Sequence, residues 1–231
     1  VTPELARLLG YWVANGNLGI AHTLGFTSAN PKVYKDFIHC FKKCFPSFPL
    51  TVNKKEKVVS VSTSSAWIKS FLRDGCKMPM TRSKGKKIPA VILSSGIATL
   101  YEYLGAYISC DSWLHKDGIQ FCTASRVMAR QLHTVFTHLG LVSQLTASKE
   151  WARNGSGIVR SYYNIYMHRN EAHKLLSELS IRKDYEMGDP LPAYQNDVIP
   201  YLSEQLAALK TRSQDPSNYR NWIVNSKSVA K

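Results

Sequence analysis

The sequence LLGYWVANG (residues 8–16) decides the fold, because a second version of it, LGAYISCDS, occupies residues 104–112. Both stretches are apolar, contain several small residues and end in a short polar group. Asn15 and Asp111 take the same place in the two stretches and lie 96 residues apart. Self-similarity of this kind is typical of repeated structural units, so we expect one helix of the same role in each half of the chain.

The segments that follow the two stretches are also alike. GFTSAN (residues 25–30) and QFCTAS (residues 120–125) each have the pattern of a strand end that leads into an N-capped helix. After the first segment, apolar residues recur at helical spacing at Val33, Phe37 and Phe41. The second segment is followed by a similar but less regular pattern, which again predicts a helix.

Each half then continues with a hairpin and another helix. The first hairpin has a charged turn at residues 53–57, and the second has a longer turn that contains Asn154 and Gly155. Helices are predicted over residues 65–72 and 171–179, and a last helix over residues 199–209.

Because five elements occur twice in the same order, we predict an α+β fold of two pseudo-symmetric αββαββα repeats. Residues 1–97 form the N-terminal repeat, residues 98–212 form the C-terminal repeat, and residues 213–231 form a polar tail.

Small residues in both stretches allow two helix backbones to approach closely. We therefore expect the two motif helices to pack against each other at a pseudo-twofold axis, with Asn15 and Asp111 at the same end. The small residues expected at this contact are Gly10, Ala14, Gly16, Gly105, Ala106 and Ser109.

The charge of the chain indicates its partner. The formal net charge is +14, and residues 1–100 hold fifteen Lys and Arg against four Asp and Glu. A folded chain this basic usually binds a polyanion, and nucleic acid is the leading candidate. The alternative is a basic protein without a nucleic-acid role. The hydrophobic fraction of 44% excludes a disordered chain.

Neither a membrane nor a disulfide framework is indicated. No apolar run reaches the roughly 18 residues that a membrane span requires. The five cysteines include no C-x-x-C pair, which argues against a disulfide framework and against a zinc site. We expect a reducing compartment with access to DNA, which includes the cytoplasm, the nucleus and organelles.

A carboxylate at the C-terminal end of a helix, as predicted for Asp111, opposes the helix dipole. A bound cation would explain this placement, and Mg²⁺ suits one or two carboxylates that are completed by water and phosphate oxygens. The alternative is that no cation binds there and that the two stretches are ordinary buried helices with polar C-terminal ends.

Residues 8–16 and 104–112, with the strands that follow them, resemble the two signature helices of the single-chain LAGLIDADG homing endonucleases, a class that is also found in inteins and introns. The resemblance covers roughly residues 3–210. It implies two saddle-shaped antiparallel sheets that straddle double-stranded DNA, and a monomer with an internal pseudo-twofold axis. It also implies a metal site at Asp111, Asn15 and Gly16 that holds Mg²⁺ or another divalent cation such as Mn²⁺ or Ca²⁺.

The family often carries a basic residue in a K-x-I-P segment before the second metal position, and here Lys86 precedes Asp111 by 25 residues in Lys-Lys-Ile-Pro. The resemblance thus makes Lys86 a catalytic residue beside Asp111 and Asn15. A lysine there can stabilise developing negative charge or steer the attacking water. The alternative is that Lys86 only contacts phosphate from the basic loop at residues 82–87.

Two departures from the family pattern affect the predicted function. Asn15 replaces a carboxylate and carries no charge, which should weaken metal binding. In the second half, residues 189–192 correspond to the Lys-Lys-Ile-Pro segment of the first half, and they contain no lysine. Arg182 or Lys183 lies close enough in the sequence to substitute for it. Three alternatives follow: the protein has lost cleavage, it nicks one strand only, or Asn15 was introduced deliberately to inactivate it.

The expected function is metal-dependent, sequence-specific cleavage of double-stranded DNA. The alternative is a non-catalytic nucleic-acid binder of the same fold, such as a group I intron maturase that binds intron RNA.

Candidate DNA contacts are the polar residues of the strands and turns. A one-residue shift in strand register would move every side chain of a strand to the opposite face of the sheet. The candidate contacts are Asn17, His22, Thr27, Lys54, Lys55, Lys57, Lys84, Lys87, Lys116, Gln120, Gln144, Arg153, Asn154, Arg160 and Tyr162.

Overall fold

The computed structural model describes residues 1–18, 23–151 and 159–191 of the chain. The first half contains α1 (Pro3–Asn15), β1 (Gly16–Asn17), β2 (Thr23–Ser28), α2 (Pro31–Cys44), β3 (Thr51–Lys55), β4 (Val58–Ser64), α3 (Ala66–Ser70) and α4 (Ala90–Leu93). The second contains α5 (Ile97–Asp111), β5 (Ser112–His115), β6 (Gly118–Thr123), α6 (Arg126–His138), β7 (Gln144–Trp151), β8 (Val159–His168) and α7 (Arg169–Ser177). The helix predicted at residues 199–209 and the tail at residues 213–231 lie outside the described residues.

The strands form two antiparallel four-stranded sheets with the same internal order. The first sheet has the order β1-β2-β4-β3, and the second has the order β5-β6-β8-β7. In each half a long helix runs directly into the edge strand of its sheet, from α1 into β1 and from α5 into β5. The predicted α+β fold of two pseudo-symmetric repeats is therefore confirmed.

The elements differ from the predicted ones in four places, one of which is α7, which was predicted over residues 171–179 and is observed at Arg169–Ser177. The charged turn predicted at residues 53–57 is shorter, because β3 continues to Lys55. The helix predicted at residues 65–72 ends at Ser70 and is followed by a π-helical turn, Phe71–Gly75. The short helix α4 was not predicted from the sequence.

Local capping explains where the longer helices begin. Thr2 accepts a hydrogen bond from the Leu5 amide at the start of α1. Asn30 accepts one from the Lys32 amide at the start of α2, and Ser125 accepts one from the Met128 amide at the start of α6. Such caps satisfy backbone donors that the first helical turn leaves unpaired. Among the helices of the described residues, none is both long and apolar enough to cross a bilayer.

The core is organised around the contact between α1 and α5. A Cβ atom added at Gly10 would lie 2.5 Å from the carbonyl oxygen of Tyr103 and 3.0 Å from the Cβ atom of Ala106. Gly10 and Ala106 occupy matching positions in the two stretches, so this close approach lies near the pseudo-twofold axis. The expected packing of the two motif helices is therefore present.

Two of the small residues expected at this contact serve other purposes. A Cβ atom added at Gly105 would lie 3.1 Å from the carbonyl oxygen of Ser180, so this glycine makes room for the segment after α7 instead of for α1. Gly16 caps the C-terminal end of α1 and begins β1. The pattern of small residues correctly predicted a close helix pair but assigned too many residues to it.

We predict that Gly10→Ala lowers the free energy of unfolding by about 1–3 kcal/mol, because the added methyl group meets the backbone of α5 and forces the helices apart. Urea denaturation measures this change. Gly96→Ala is the control, since nothing lies within 4 Å of a Cβ atom added at Gly96. A Gly10→Ala chain as stable as this control would contradict the assigned contact.

Candidate metal centre and nucleic-acid interface

Asn15 and Asp111 are the last residues of α1 and α5, as the matching stretches predicted. The side chain of Asn15 is exposed, whereas Asp111 is half-buried. Because α1 and α5 pack side by side and each continues into the edge strand of its sheet, both residues mark the transition from the helical core to the sheets.

Lys86 lies at this end of the helix pair. Its Nζ atom donates a hydrogen bond to the carbonyl oxygen of Ala14, the residue before Asn15. Burial lowers the pKa of Lys86, and the nearby charge of Asp111 partly opposes that effect. The contact joins the loop before α4 to the C-terminal end of α1.

Lys183 takes the corresponding place in the second half. Its Nζ atom donates to the carbonyl oxygen of Ser112 and, at 3.1 Å, to the Ser112 hydroxyl. Burial lowers the pKa of Lys183 to about 8, although Cys110 and Asp111 act in the opposite direction. Residues 189–192 contain no lysine, and Lys183, one of the two substitutes named from the sequence, contacts the end of α5.

Of the two substitutes named from the sequence, Lys183 reaches the end of α5, and Arg182 does not. The Nε atom of Arg182 lies 2.8 Å from a carboxylate oxygen of Asp36 on α2. The 96-residue spacing of the motif stretches does not select Lys183, because Arg182 lies 96 residues after Lys86 and Lys183 lies 97 residues after it.

The environment of Asp111 combines burial with positive charge. Burial raises the pKa of Asp111, whereas the charge of Lys86, a hydrogen bond from Tyr107 at 3.4 Å and the charge of Lys183 lower it. Since burial is the largest of these effects, the carboxylate is less well solvated than a surface carboxylate and is stabilised by cations.

A cleft of about 410 Å³ adjoins Asp111. It is lined by Cys110, Asp111, Ser112, Trp113, Gln120 and Cys122. Because Trp113 and Gln120 are paired on β5 and β6, the cleft connects the end of α5 to the strands of the second sheet.

Each sheet has one face toward the helical core and one polar face. In the second sheet, Gln120 is paired with Tyr166, and Tyr166 is paired with Gln144. Side chains alternate along a strand, so these residues lie opposite the buried face that holds Ile119 and Phe121. In the first sheet the corresponding polar row contains Thr27, Ser60 and Asn53.

The register places seven of the fifteen candidate DNA contacts on these polar faces. The residues there are Asn17, Thr27, Lys55, Gln120, Gln144, Arg160 and Tyr162. Lys54 is paired with Val59, so it lies on the opposite face from Lys55.

The other candidates lie outside the strands. Lys57 and Lys116 lie in the hairpin turns, and Lys84 and Lys87 lie in the loop before α4. His22, Arg153 and Asn154 fall outside the described residues.

Three residues of the second polar face were not among the DNA contacts predicted from the sequence. Asn164 and Tyr166 alternate with buried Ile165 and Met167 on β8, so the period-two pattern could have identified them. Trp113 on β5 is 62% exposed, and its ring packs at an angle of 31° against the ring of His115, with a distance of 4.6 Å between the ring centroids. A large exposed aromatic side chain beside a polar sheet face is suited to contact with bases or sugars.

The described residues contain no group of three or more His, Cys, Asp or Glu side chains that could hold a metal ion. A cation at Asp111 would therefore need oxygen atoms from the backbone, from Asn15, from water or from a ligand.

No model of a known protein family matches the chain. A segment of the replication factor C small subunit of Methanocaldococcus jannaschii is 24% identical and covers 96% of this chain but 12% of that protein. A segment of the DNA polymerase of Thermococcus litoralis is 27% identical and covers 71% of this chain but 9% of that protein. The chain thus spans only a small part of the length of these relatives.

Solved structures with the same fold include the homing endonuclease I-DmoI. In its complex with DNA and Ca, I-DmoI has a TM-score of 0.56 and 11% identity, with 90% of this chain and 97% of that chain covered. Full-length DUF199/WhiA from Thermatoga maritima has a TM-score of 0.51 and 10% identity, with 99% of this chain and 67% of that chain covered. The resemblance to the LAGLIDADG homing endonucleases is therefore confirmed at the level of the fold.

We predict that the amine of Lys183 is half deprotonated near pH 8, whereas a solvated lysine reaches that point near pH 10.4. Asp111→Asn should move the midpoint to lower pH, because the charge of Asp111 favours the ammonium form. The rate of acetylation of Lys183 as a function of pH, measured by mass spectrometry, gives both midpoints. A midpoint near pH 10.4 in the unaltered chain would show that Lys183 is solvated.

Proposed function

We propose that this chain is a sequence-specific endonuclease for double-stranded DNA that hydrolyses phosphodiester bonds with a divalent cation. The observation that carries the proposal is the convergence of Lys86, Lys183 and Asp111 at one end of the central helix pair, beside two polar sheet faces. The two repeats already supply an internal pseudo-twofold axis, so the proposed state is a monomer.

The charge and the sheets suit binding to a duplex. Fifteen of the thirty Lys and Arg residues lie in the first hundred residues, where they can neutralise phosphates. The polar residues of the sheet faces are placed on alternate strand positions, which is how a β-sheet can present side chains to base edges in the major groove.

The proposed metal site uses the carboxylate of Asp111, the amide oxygen of Asn15 and the backbone of Gly16. These are hard oxygen donors, which suit Mg²⁺ and also Mn²⁺ or Ca²⁺. The poor solvation of Asp111 fits such a site, because its carboxylate is stabilised by a nearby cation. A bound divalent ion would neutralise phosphate charge and lower the pKa of a bound water.

The protein residues supply positioning and charge. Asp111 holds and orients the attacking water, and Lys86 and Lys183 stabilise the negative charge that develops on the phosphate. Lys86 contacts the end of α1 and Lys183 contacts the end of α5, so each proposed half-site has its own lysine.

Asn15 limits the activity that we propose. An amide donates an oxygen atom but no negative charge, so the half-site at the end of α1 should bind metal more weakly than a carboxylate site. The chain is therefore either inactive or a nicking enzyme that favours the half-site of Asp111.

The similarity to small parts of longer proteins supports an insertion. Segments similar to this chain lie within a replication factor C small subunit and within a DNA polymerase, and each match covers less than a fifth of the relative. We propose an association with an intein or intron.

Asn15 also favours a second candidate function. A non-catalytic nucleic-acid binder of the same fold, such as a group I intron maturase, needs no charge at this position. The presence of Lys183 at the second half-site argues against it, because a binder does not need two half-buried lysines at the helix ends.

We predict that Asn15→Asp raises the rate of linearisation of a supercoiled plasmid carrying the uninterrupted host locus by about a hundredfold or more, because a metal ion contributes several kcal/mol to such reactions. Gel separation of supercoiled, nicked and linear plasmid with Mg²⁺ measures the effect. Intact plasmid from both chains, on a locus that the protein binds specifically, would contradict the nuclease function.

We also predict that Asp111→Ala abolishes any cleavage, including that of the Asn15→Asp chain, and leaves the affinity for the same duplex nearly unchanged, since the proposed role of Asp111 is in the reaction and not in DNA binding. Fluorescence anisotropy with a labelled duplex measures the binding. The second candidate function predicts instead tight binding to folded intron RNA and weak binding to duplex DNA.

A further inference from the structure

The segment that carries Lys183 is held by the opposite half of the chain. Within this Lys183 segment (residues 180–184), the Nε atom of Arg182 lies 2.8 Å from a carboxylate oxygen of Asp36, which belongs to α2. Both side chains are largely buried, with exposed fractions of 19% for Arg182 and 17% for Asp36. Nearer the surface, Lys32 on α2 forms an ion pair with Asp184.

The segment that carries Lys86 is held in the reciprocal way. Within this Lys86 segment (residues 86–88), the amide of Ile88 donates to the Oε1 atom of Gln131 on α6 at 2.9 Å. The hydroxyl of Ser125, which caps the start of α6, donates to the carbonyl oxygen of Lys86. Ser125 and Ile88 are buried, so these hydrogen bonds are made away from water.

Helices α2 and α6 are the equivalent helices of the two repeats, since each follows the second strand of its sheet. Each lysine segment is thus attached to its own half by the chain and is also held by the equivalent helix of the other half. The Lys183 segment has a further contact within its own half, because the amide of Arg182 donates to the hydroxyl of Ser109 on α5 at 2.9 Å. Loss of the Gln131 contact would leave the buried amide of Ile88 without its side-chain partner, and loss of the Asp36 contact would leave the largely buried guanidinium of Arg182 without its carboxylate.

We propose that Asp36 and Gln131 are reciprocal positioning residues, each of which fixes the catalytic lysine of the opposite repeat at the cleavage centre. The inference rests on the proposed nuclease function and extends it. Asp36 acts through Arg182 on Lys183, and Gln131 acts through the backbone of Ile88 on Lys86. The consequence is that neither half-site is complete without the other half of the chain.

Amine labelling tests the positioning without requiring cleavage. At about pH 11, where a lysine amine is largely deprotonated whether it is half-buried or solvated, Arg182→Gln should raise the acetylation rate of Lys183 by about tenfold, a factor that corresponds to about 1.4 kcal/mol of lost contact, and leave Lys86 unchanged. Gln131→Ala should raise the rate at Lys86 and leave Lys183 unchanged. Arg182→Gln keeps the contacts of Arg7 with Asp36 and Glu102, so it is safer for folding than a change at Asp36.

Strand-selective cleavage connects the positioning to the reaction. In the Asn15→Asp chain, with each DNA strand labelled separately, Arg182→Gln should slow cleavage of one strand and Gln131→Ala should slow cleavage of the other. Nicked duplex should therefore accumulate in both variants, with opposite strands cut. A general loss of stability would slow both strands together.

Asp74→Asn and Thr134→Ala are the control variants, since Asp74 forms an exposed ion pair with Arg73 and Thr134 is exposed on α6. We expect no change in either readout for them. Equal labelling of both lysines in each variant, or no change, would overturn the positioning. Selective labelling in a chain that cuts no DNA would retain the positioning and refute the nuclease function.

Discussion

The close approach of α1 and α5 is the contact on which the rest of the structure depends. Gly10 lies against the backbone carbonyl of Tyr103, where even a methyl group would not fit without a shift of the helices. Because each of these helices runs straight into a sheet, their separation also sets the separation of the two sheets. The same contact brings the C-terminal ends of both helices together, and with them Asn15 and Asp111, where the proposed chemistry takes place.

Charged groups at the two ends of this helix pair have different roles. Away from the sheets, Arg7 of α1 contacts both Asp36 and Glu102, so its charge is paired across the two halves. Near the sheets, Lys86 and Lys183 donate to backbone carbonyl oxygens instead of carboxylates, and burial lowers the pKa of both. Positive charge that is poorly solvated and incompletely neutralised is suited to binding a phosphate.

The repeat in the sequence predicted the order of elements, the central helix pair and the positions of Asn15 and Asp111, since each depends on a local pattern that occurs twice. Other features depend on tertiary packing that no local pattern records. The place of Lys183 follows from the course of the chain after α7, where Gly105 accommodates Ser180. The face of the sheet on which Lys54 lies follows from the register of β3. That register depends on the turn between β3 and β4, which is shorter than the sequence predicted.

The proposed chemistry requires a divalent cation to bind where α1 and α5 end. A titration of the isotope-labelled chain with Mn²⁺ measures this binding, because the paramagnetic ion broadens the amide signals nearest to it. The signals of Asn15, Gly16, Asp111 and Ser112 should broaden first, and Asp111→Asn should remove this effect. Broadening centred elsewhere, or broadening at these residues that survives Asp111→Asn, would show that the cation does not bind at this site.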